Sequence, residues 1–130
     1  YITNRDDDER AGTVATLRKL GYPLDGPLDD MASTLLLREN KESDKSARRK
    51  RVADRYRILL MAGDDLNDFV NLRRAPWPER DAFITKMKDW WGTRWFMIPN
   101  PMYGSWEHAA IGAGGTPCEQ VERKIQALRR

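Results

Sequence analysis

Apolar positions along the chain fall into helical and strand periods that alternate. Ala11, Val14, Leu17 and Leu20 share the spacing of one helix face, and Gly21 followed by Pro23 supplies a stop. Asp6, Asp7, Asp8 and Glu9 precede that face, where the positive end of the helix dipole favours acids; dipole complementarity accounts for them more cheaply than a metal site. The stretch from Pro23 to Asp30 is turn-rich, and Thr34 to Leu37 reads as a short strand. After the polar loop Glu39 to Asp44, a helix is predicted from about Ser43 or Asp44 onward, with Val52 and Tyr56 facing inward. Ile58, Leu59, Leu60, Met61 and Ala62 form a continuous apolar run, the pattern of a strand buried on both faces. Ala82, Phe83, Met87, Trp90 and Trp91 recur at helical spacing up to Gly92, and Trp95 to Ile98 is a strand stopped by Pro99-Asn100-Pro101. Residues 102–107 read as a loop. Thr116-Pro117-Cys118-Glu119 matches a capping box with proline at the first helical position, opening a helix with Val121, Ile125 and Leu128 on one face. Strands alternating with helices predict βα units: an α/β fold with a mostly parallel, three-layered sheet and right-handed crossovers.

Composition narrows the class. The 130 residues allow one domain at most, and 40% hydrophobic with 33% charged residues describe a globular chain with a heavily solvated surface. No apolar run approaches the roughly 20 residues that a membrane helix needs. The formal net charge is only +3, with acids and bases interspersed, which argues against a dedicated nucleic-acid binder. Cys118 is the single cysteine, so no disulfide forms within these residues. Tyr1-Ile2-Thr3 looks like the end of a strand whose beginning is missing, so the chain reads as a fragment that has lost any export signal.

The chemistry gathers after the central apolar run. Gly63 ends it, and Asp64, Asp65 and Asp68 follow at the carboxyl end of the predicted strand, where ligands sit in open α/β sheets. With a helical turn beginning at Asp64, Asp64 and Asp68 can face one pocket. Paired hard oxygen ligands suit magnesium, which takes one or two carboxylates, several waters and a substrate phosphate. The same residues also fit a plain βα turn with Asp64 as a helix N-cap.

Other features have simpler readings. Arg48-Arg49-Lys50-Arg51 would be spread around a helix near Asp44 and Asp54, a solvated face rather than a nucleic-acid patch. Lys45, read alone, is a solvated lysine near a helix start. His108 is the only histidine, which excludes a multi-histidine metal site. Trp90, Trp91 and Trp95 seal core between the last helix and strand. Residues 112–115 lack a preceding strand and form a connector rather than a phosphate cradle.

Three stretches in this order, Tyr-Ile-Thr-Asn-Arg, Ser-Asp-Lys-Ser-Ala-Arg-Arg and Met-Ala-Gly-Asp-Asp-Leu-Asn-Asp-Phe, resemble the haloacid dehalogenase (HAD) superfamily. More narrowly they are similar to the class C acid phosphatases, the bacterial secreted or lipoprotein phosphatase/5′-nucleotidase family. Ile-Pro-Asn-Pro-Met-Tyr-Gly-Ser-Trp-Glu, after the last strand, is similar to a loop of that family. The resemblance implies that Thr3 and Asn4 bind phosphate, with Arg5 at the rim of the site. It implies that Lys45 binds phosphate and steadies charge on it, that Asp64 and Asp68 hold Mg2+ directly or through water, and that Tyr103 stacks on a nucleoside base. These residue types suit phosphoryl transfer, which asks a protein mainly for positioning and charge stabilisation.

One departure is decisive. The Asp-x-Asp-x-Thr/Val motif, which supplies the family's nucleophilic aspartate and its acid/base partner, appears nowhere, and Asp6-Asp7-Asp8 does not follow a hydrophobic strand. The fold implied is a three-layer Rossmann-like HAD sheet, mostly parallel and incomplete, lacking its first, central strand. Loss of that strand predicts unpaired edges and exposed apolar faces, and a segment inactive on its own. Residues 1–130 are thus expected to be the C-terminal part of a single phosphatase domain, with no second domain. The expected function is magnesium-dependent hydrolysis of phosphomonoesters, nucleoside monophosphates included, through an aspartyl-phosphate. Secretion, periplasmic residence or outer-membrane anchoring, and a homodimer, are implied by the resemblance alone. The alternative is a non-catalytic module whose basic helix 45–56 contacts an acidic partner.

Overall fold

The computed structural model describes residues 1–24, 34–112 and 114–128 of the chain. Two compact units divide it, Tyr1–Arg57 and Ile58–Arg130. The predicted turns between 25 and 33, the Ala113 position of the connector and the side chain of Leu128 lie outside the described residues.

In the first unit, a single 3₁₀ turn (Asp7–Glu9) leads into α1 (Arg10–Lys19). The acids at its start work as a cap: Asp6 is the N-cap, and its backbone N–H donates to Glu9 Oε2 at 3.0 Å. At the other end, Gly21 has φ +77°, its N–H donates to the Arg18 carbonyl, and the Tyr22 N–H donates to that of Leu17. This is the Schellman closure, which needs a residue at ease in the left-handed region. Val14 of α1 packs with Leu24, Leu35 and Leu37, flanked by Leu17, to form the unit's core. Ile2 pairs in parallel with Leu36, with Thr3 N–H donating to the Leu36 carbonyl at 3.0 Å and Leu36 N–H to that of Tyr1 at 2.8 Å. Both predicted strands of this unit are therefore real pairing segments, though short.

Helix α2 (Ser46–Ala53) stops before Tyr56, which is 61% exposed, so the expected inward face is corrected. The buried residue of α2 is Arg48, only 3% exposed. It stands one turn before Val52 on the same face, and the cost of desolvating its head is offset in part by donation to the Thr3 carbonyl and the Asn4 side chain. The solvated-face reading of the basic run is corrected at this position.

In the second unit, β1 (Met61–Gly63) and β2 (Trp95–Met97) form a parallel pair, with Met61 opposite Trp95 and Gly63 opposite Met97. The strand is shorter than the apolar run, and Leu59 and Leu60 are exposed. A strand buried on both faces belongs to the interior of a sheet covered by other layers, and among the described residues β1 pairs in this sheet with β2 alone. Helix α3 (Trp77–Lys86) begins with Pro78 in its first turn and ends before a 3₁₀ turn at Lys88–Trp90. Trp95 is the hub of the core: its ring lies 5.0 Å from Trp90, 5.3 Å from Trp91 and 5.4 Å from Phe69, centroid to centroid. Of the three tryptophans expected to seal this core, Trp95 is buried and Trp91 half-buried, whereas Trp90 is 38% exposed at its edge.

Two helices follow. Residues 105–107, read as loop from the sequence, open helix α4 (Ser105–Ile111), and α5 (Pro117–Leu128) carries the expected box, with Thr116 N–H donating to Glu119 Oε2 at 2.7 Å. Glu107 and Lys124 pair between α4 and α5. Among the described residues no helix is long and apolar enough to cross a membrane.

Candidate active site

The acidic turn after β1 is built by its own side chains. Asp65, not Asp64, is the N-cap of the 3₁₀ turn Leu66–Asp68, and its Oδ1 accepts the Asn67 N–H at 2.9 Å. Asp68 reaches back, its Oδ2 accepting the N–H groups of Asp64 at 3.0 Å and Asp65 at 3.1 Å. The closure depends on Gly63: a Cβ there would overlap Asp68 Cβ and Oδ2 and stand 2.7 Å from its Cγ. The helical turn thus begins one residue later than expected, and the carboxylate of Asp64 is left outside the cap. It is exposed, and its Oδ2 accepts the Asn100 side-chain N–H at 2.7 Å.

Asp65 faces the opposite way, into the unit. Its Oδ2 accepts the Ser105 backbone N–H at 2.5 Å and its Oδ1 the Ser105 hydroxyl at 2.6 Å. Arg80, 3% exposed, donates to that same hydroxyl at 2.9 Å and to the Leu72 carbonyl at 3.0 Å. Burial alone would raise the Asp65 pKa, but the Ser105 hydroxyl, the Asn67 and Ser105 N–H groups and the charge of Arg80 hold it below the usual carboxylate value. Burial lowers the Arg80 pKa, against the pull of Asp65. The start of α4 is therefore capped by a carboxylate forty residues upstream, which is why no local signal announced this helix.

A cleft of about 320 Å³ opens beside this turn. Asp64, Asp65, Arg80 and Asn100 line its polar part, and Trp77, Ile84, Trp91, Ile98 and Trp106 much of the rest. Tyr103, expected to stack on a base, is 69% exposed in the loop between β2 and α4. Among the described residues no group of three or more His, Cys, Asp or Glu side chains is arranged to hold a metal ion. The donor set still fits magnesium as far as it goes, since that ion needs only one or two carboxylates beside water and phosphate. Asp64 presents an exposed carboxylate, while one oxygen of Asp68 is committed to two amides.

The first unit carries the remaining candidates. Thr3 is half-buried at the end of the Ile2 pairing segment, its hydroxyl oxygen accepting the Arg5 N–H at 3.3 Å. Arg48 donates to the Thr3 carbonyl at 2.5 Å and to Asn4 Oδ1 at 2.7 Å, and Asn4 in turn donates to the Ser43 carbonyl at 3.1 Å. Lys45 is the half-buried N-cap residue of α2, its carbonyl accepting the Arg49 N–H. Arg48 thus ties Thr3 and Asn4 to the segment that carries Lys45. The other cations of that helix are engaged within the unit: Arg49 with Ser46, Lys50 with Asp54, Arg51 with Glu39. Nothing in that arrangement favours the alternative of a basic helix reserved for an acidic partner.

Sequence reasoning missed Arg48, Asp65, Arg80, Asn100 and Ser105 as parts of the site's framework. Asp65 stood in the acidic cluster without a role assigned, Asn100 stands between two prolines directly after a strand, and Arg80 carried no local signal.

Two crystal structures of a class C acid phosphatase from Bacillus anthracis, one with tungstate bound, superpose on 97% of this chain with a TM-score of 0.83 and 28% sequence identity. The chain spans about half the length of that protein, 52%. A family model described as HAD superfamily, subfamily IIIB (acid phosphatase) matches residues 1–106. With most of its length inside that match, the chain belongs to the subfamily IIIB acid phosphatases of the HAD superfamily.

Proposed function

We propose that this chain is the C-terminal part of a single domain of a magnesium-dependent acid phosphatase acting on phosphomonoesters, nucleoside monophosphates among them. The observation that carries the reading is the acidic turn at the end of β1, which presents Asp64 outward while Asp65 and Asp68 hold the backbone beneath it. Family membership and a relative that takes up tungstate, a tetrahedral oxyanion like phosphate, support it.

In this reading the Thr3 hydroxyl donates to a phosphoryl oxygen, the Asn4 side chain borders the phosphate, and Lys45 places a positive point charge against it. Asp64 and Asp68 would hold the magnesium ion, directly or through water, with Asp64 the more open of the two carboxylates. Bound there, the ion would offset negative charge on the phosphoryl oxygens. Tyr103 offers its ring to the leaving group's base. The attacking carboxylate comes from residues outside this chain: it bonds to phosphorus as the alcohol departs, and water then splits the aspartyl-phosphate to release inorganic phosphate. Export from the cytoplasm and a homodimer complete the reading.

The test is hydrolysis of p-nitrophenyl phosphate by the protein that carries this chain, with magnesium removed by a chelator and restored. Activity should vanish and return. Asp64→Asn should lower kcat about 100-fold, roughly 2.7 kcal/mol of barrier. Undiminished turnover in that variant removes Asp64 from the site.

A further inference from the structure

Asn100 is held more completely than a loop asparagine needs to be. It lies between Pro99 and Pro101, which restrict the backbone on both sides. Its Oδ1 accepts the N–H groups of Met102 at 3.1 Å and Tyr103 at 3.4 Å. Its backbone carbonyl accepts the indole N–H of Trp106 at 3.1 Å. With the oxygen of the amide turned onto its own loop, the nitrogen points the other way and donates to Asp64 Oδ2 at 2.7 Å. The far end of the loop is fastened as well, Ser105 to Asp65 with Arg80 behind it.

We propose that Asn100 is the positioning residue for Asp64: its locked amide fixes the rotation of that carboxylate without neutralising it. The inference rests on the phosphatase reading above and adds the group that orients the proposed ligand. The choice of an amide is physically apt. Lysine or arginine at this place would also orient Asp64, but its charge would compete with a divalent cation, whereas a neutral donor leaves the carboxylate's charge available. Partners that orient a ligating carboxylate are worth about 10–100-fold in metal affinity or activity when removed.

The experiment uses the protein that carries this chain and reads Mn2+ binding by electron paramagnetic resonance beside steady-state hydrolysis. Asn100→Leu should weaken Mn2+ binding about 10-fold or more and lower kcat at saturating metal by a similar factor, with KM changed less than about threefold. Asn100→Asp would place a second carboxylate against Asp64, so the deciding variant is the neutral Asn100→Ser, whose hydroxyl can accept the Met102 N–H but is too short to reach Asp64. It should melt within a few degrees of the parent and still lose about tenfold in kcat and in Mn2+ affinity. A residue that merely shaped the loop would leave Asn100→Ser at the parent's rate and Mn2+ affinity. If Asn100→Leu fails to fold, Asn100→Ser decides. Parent-like kcat and Mn2+ affinity in the variants overturn the role of Asn100 alone. Absence of both Mn2+ binding and hydrolysis in the parent overturns the phosphatase reading and this role with it.

Discussion

Replacing Arg48 by methionine keeps the apolar stem in place and removes the guanidinium, so the change isolates the buried polar network of the first unit. Two strong donations are lost, to the Thr3 carbonyl at 2.5 Å and to Asn4 Oδ1 at 2.7 Å. The contacts to the Asp44 and Glu42 carbonyls, at 3.2 and 3.5 Å, are long and add little. Hydrogen bonds from a charged group are worth about 1.5–3 kcal/mol each. Asn4 is exposed and regains water, so the sum falls near the lower end, about 3 kcal/mol. Burial lowers the Arg48 pKa, so the cost of desolvating this charge is already present in the native state and is relieved in the variant, which also argues for the lower figure. For a domain of this general size, about 3 kcal/mol lowers the melting temperature by roughly 6–12 °C. Lys50→Met on the same helix is the control: its side chain is largely exposed and pairs with Asp54 one turn on, an interaction worth about 0.5 kcal/mol at most. Differential scanning calorimetry of the protein that carries this chain checks both. Because Thr3 and Asn4 would lose their anchor, KM for a phosphomonoester should rise in Arg48→Met and stay unchanged in Lys50→Met. An Arg48→Met protein that melts within about 2 °C of the parent refutes the reasoning.

Two further changes probe the site and the acid range. Gly63→Ala forces a Cβ into Asp68, and the overpacking should cost about 1–3 kcal/mol in denaturant unfolding while pulling Asp68 off the Asp64 and Asp65 amides and lowering kcat; an unaltered unfolding midpoint would show that the turn yields freely. The Arg38 hydrogen bond to Asp6 holds that carboxyl below its ordinary 3.8, so the stability it contributes is present above pH 3.8 and is lost as pH falls through the depressed value. Unfolding curves against pH should therefore be flatter below pH 3.8 in Asp6→Asn than in the parent, and parallel curves would contradict the assignment.

What could be read in the residues and what could not divide by the range of the forces. Helix α1 with its Gly21 stop and helix α5 with its Thr116–Glu119 box follow from groups within one turn of each other, and such signals survive in any window of sequence. The acidic turn was legible as to place but not as to role, because Asp65 rather than Asp64 captures the Asn67 N–H. Helix α4 was invisible because its cap comes from Asp65, and Arg48 looked like one more surface cation because its acceptors are carbonyls brought in from the chain's beginning. The run Ile58–Leu60 shows the converse error. Its apolar character states what the residues could pair with, and the exposure of Leu59 shows that period alone does not supply the neighbours.

The most direct test is a crystal structure of the protein that carries this chain with tungstate and Mg2+ bound. The anion should lie against the Thr3 hydroxyl and the Lys45 amine, and the metal ion on Asp64 with Asn100 still donating to that carboxylate. An anion bound away from Thr3 and Lys45, or a metal ion that leaves Asp64 untouched, would contradict it.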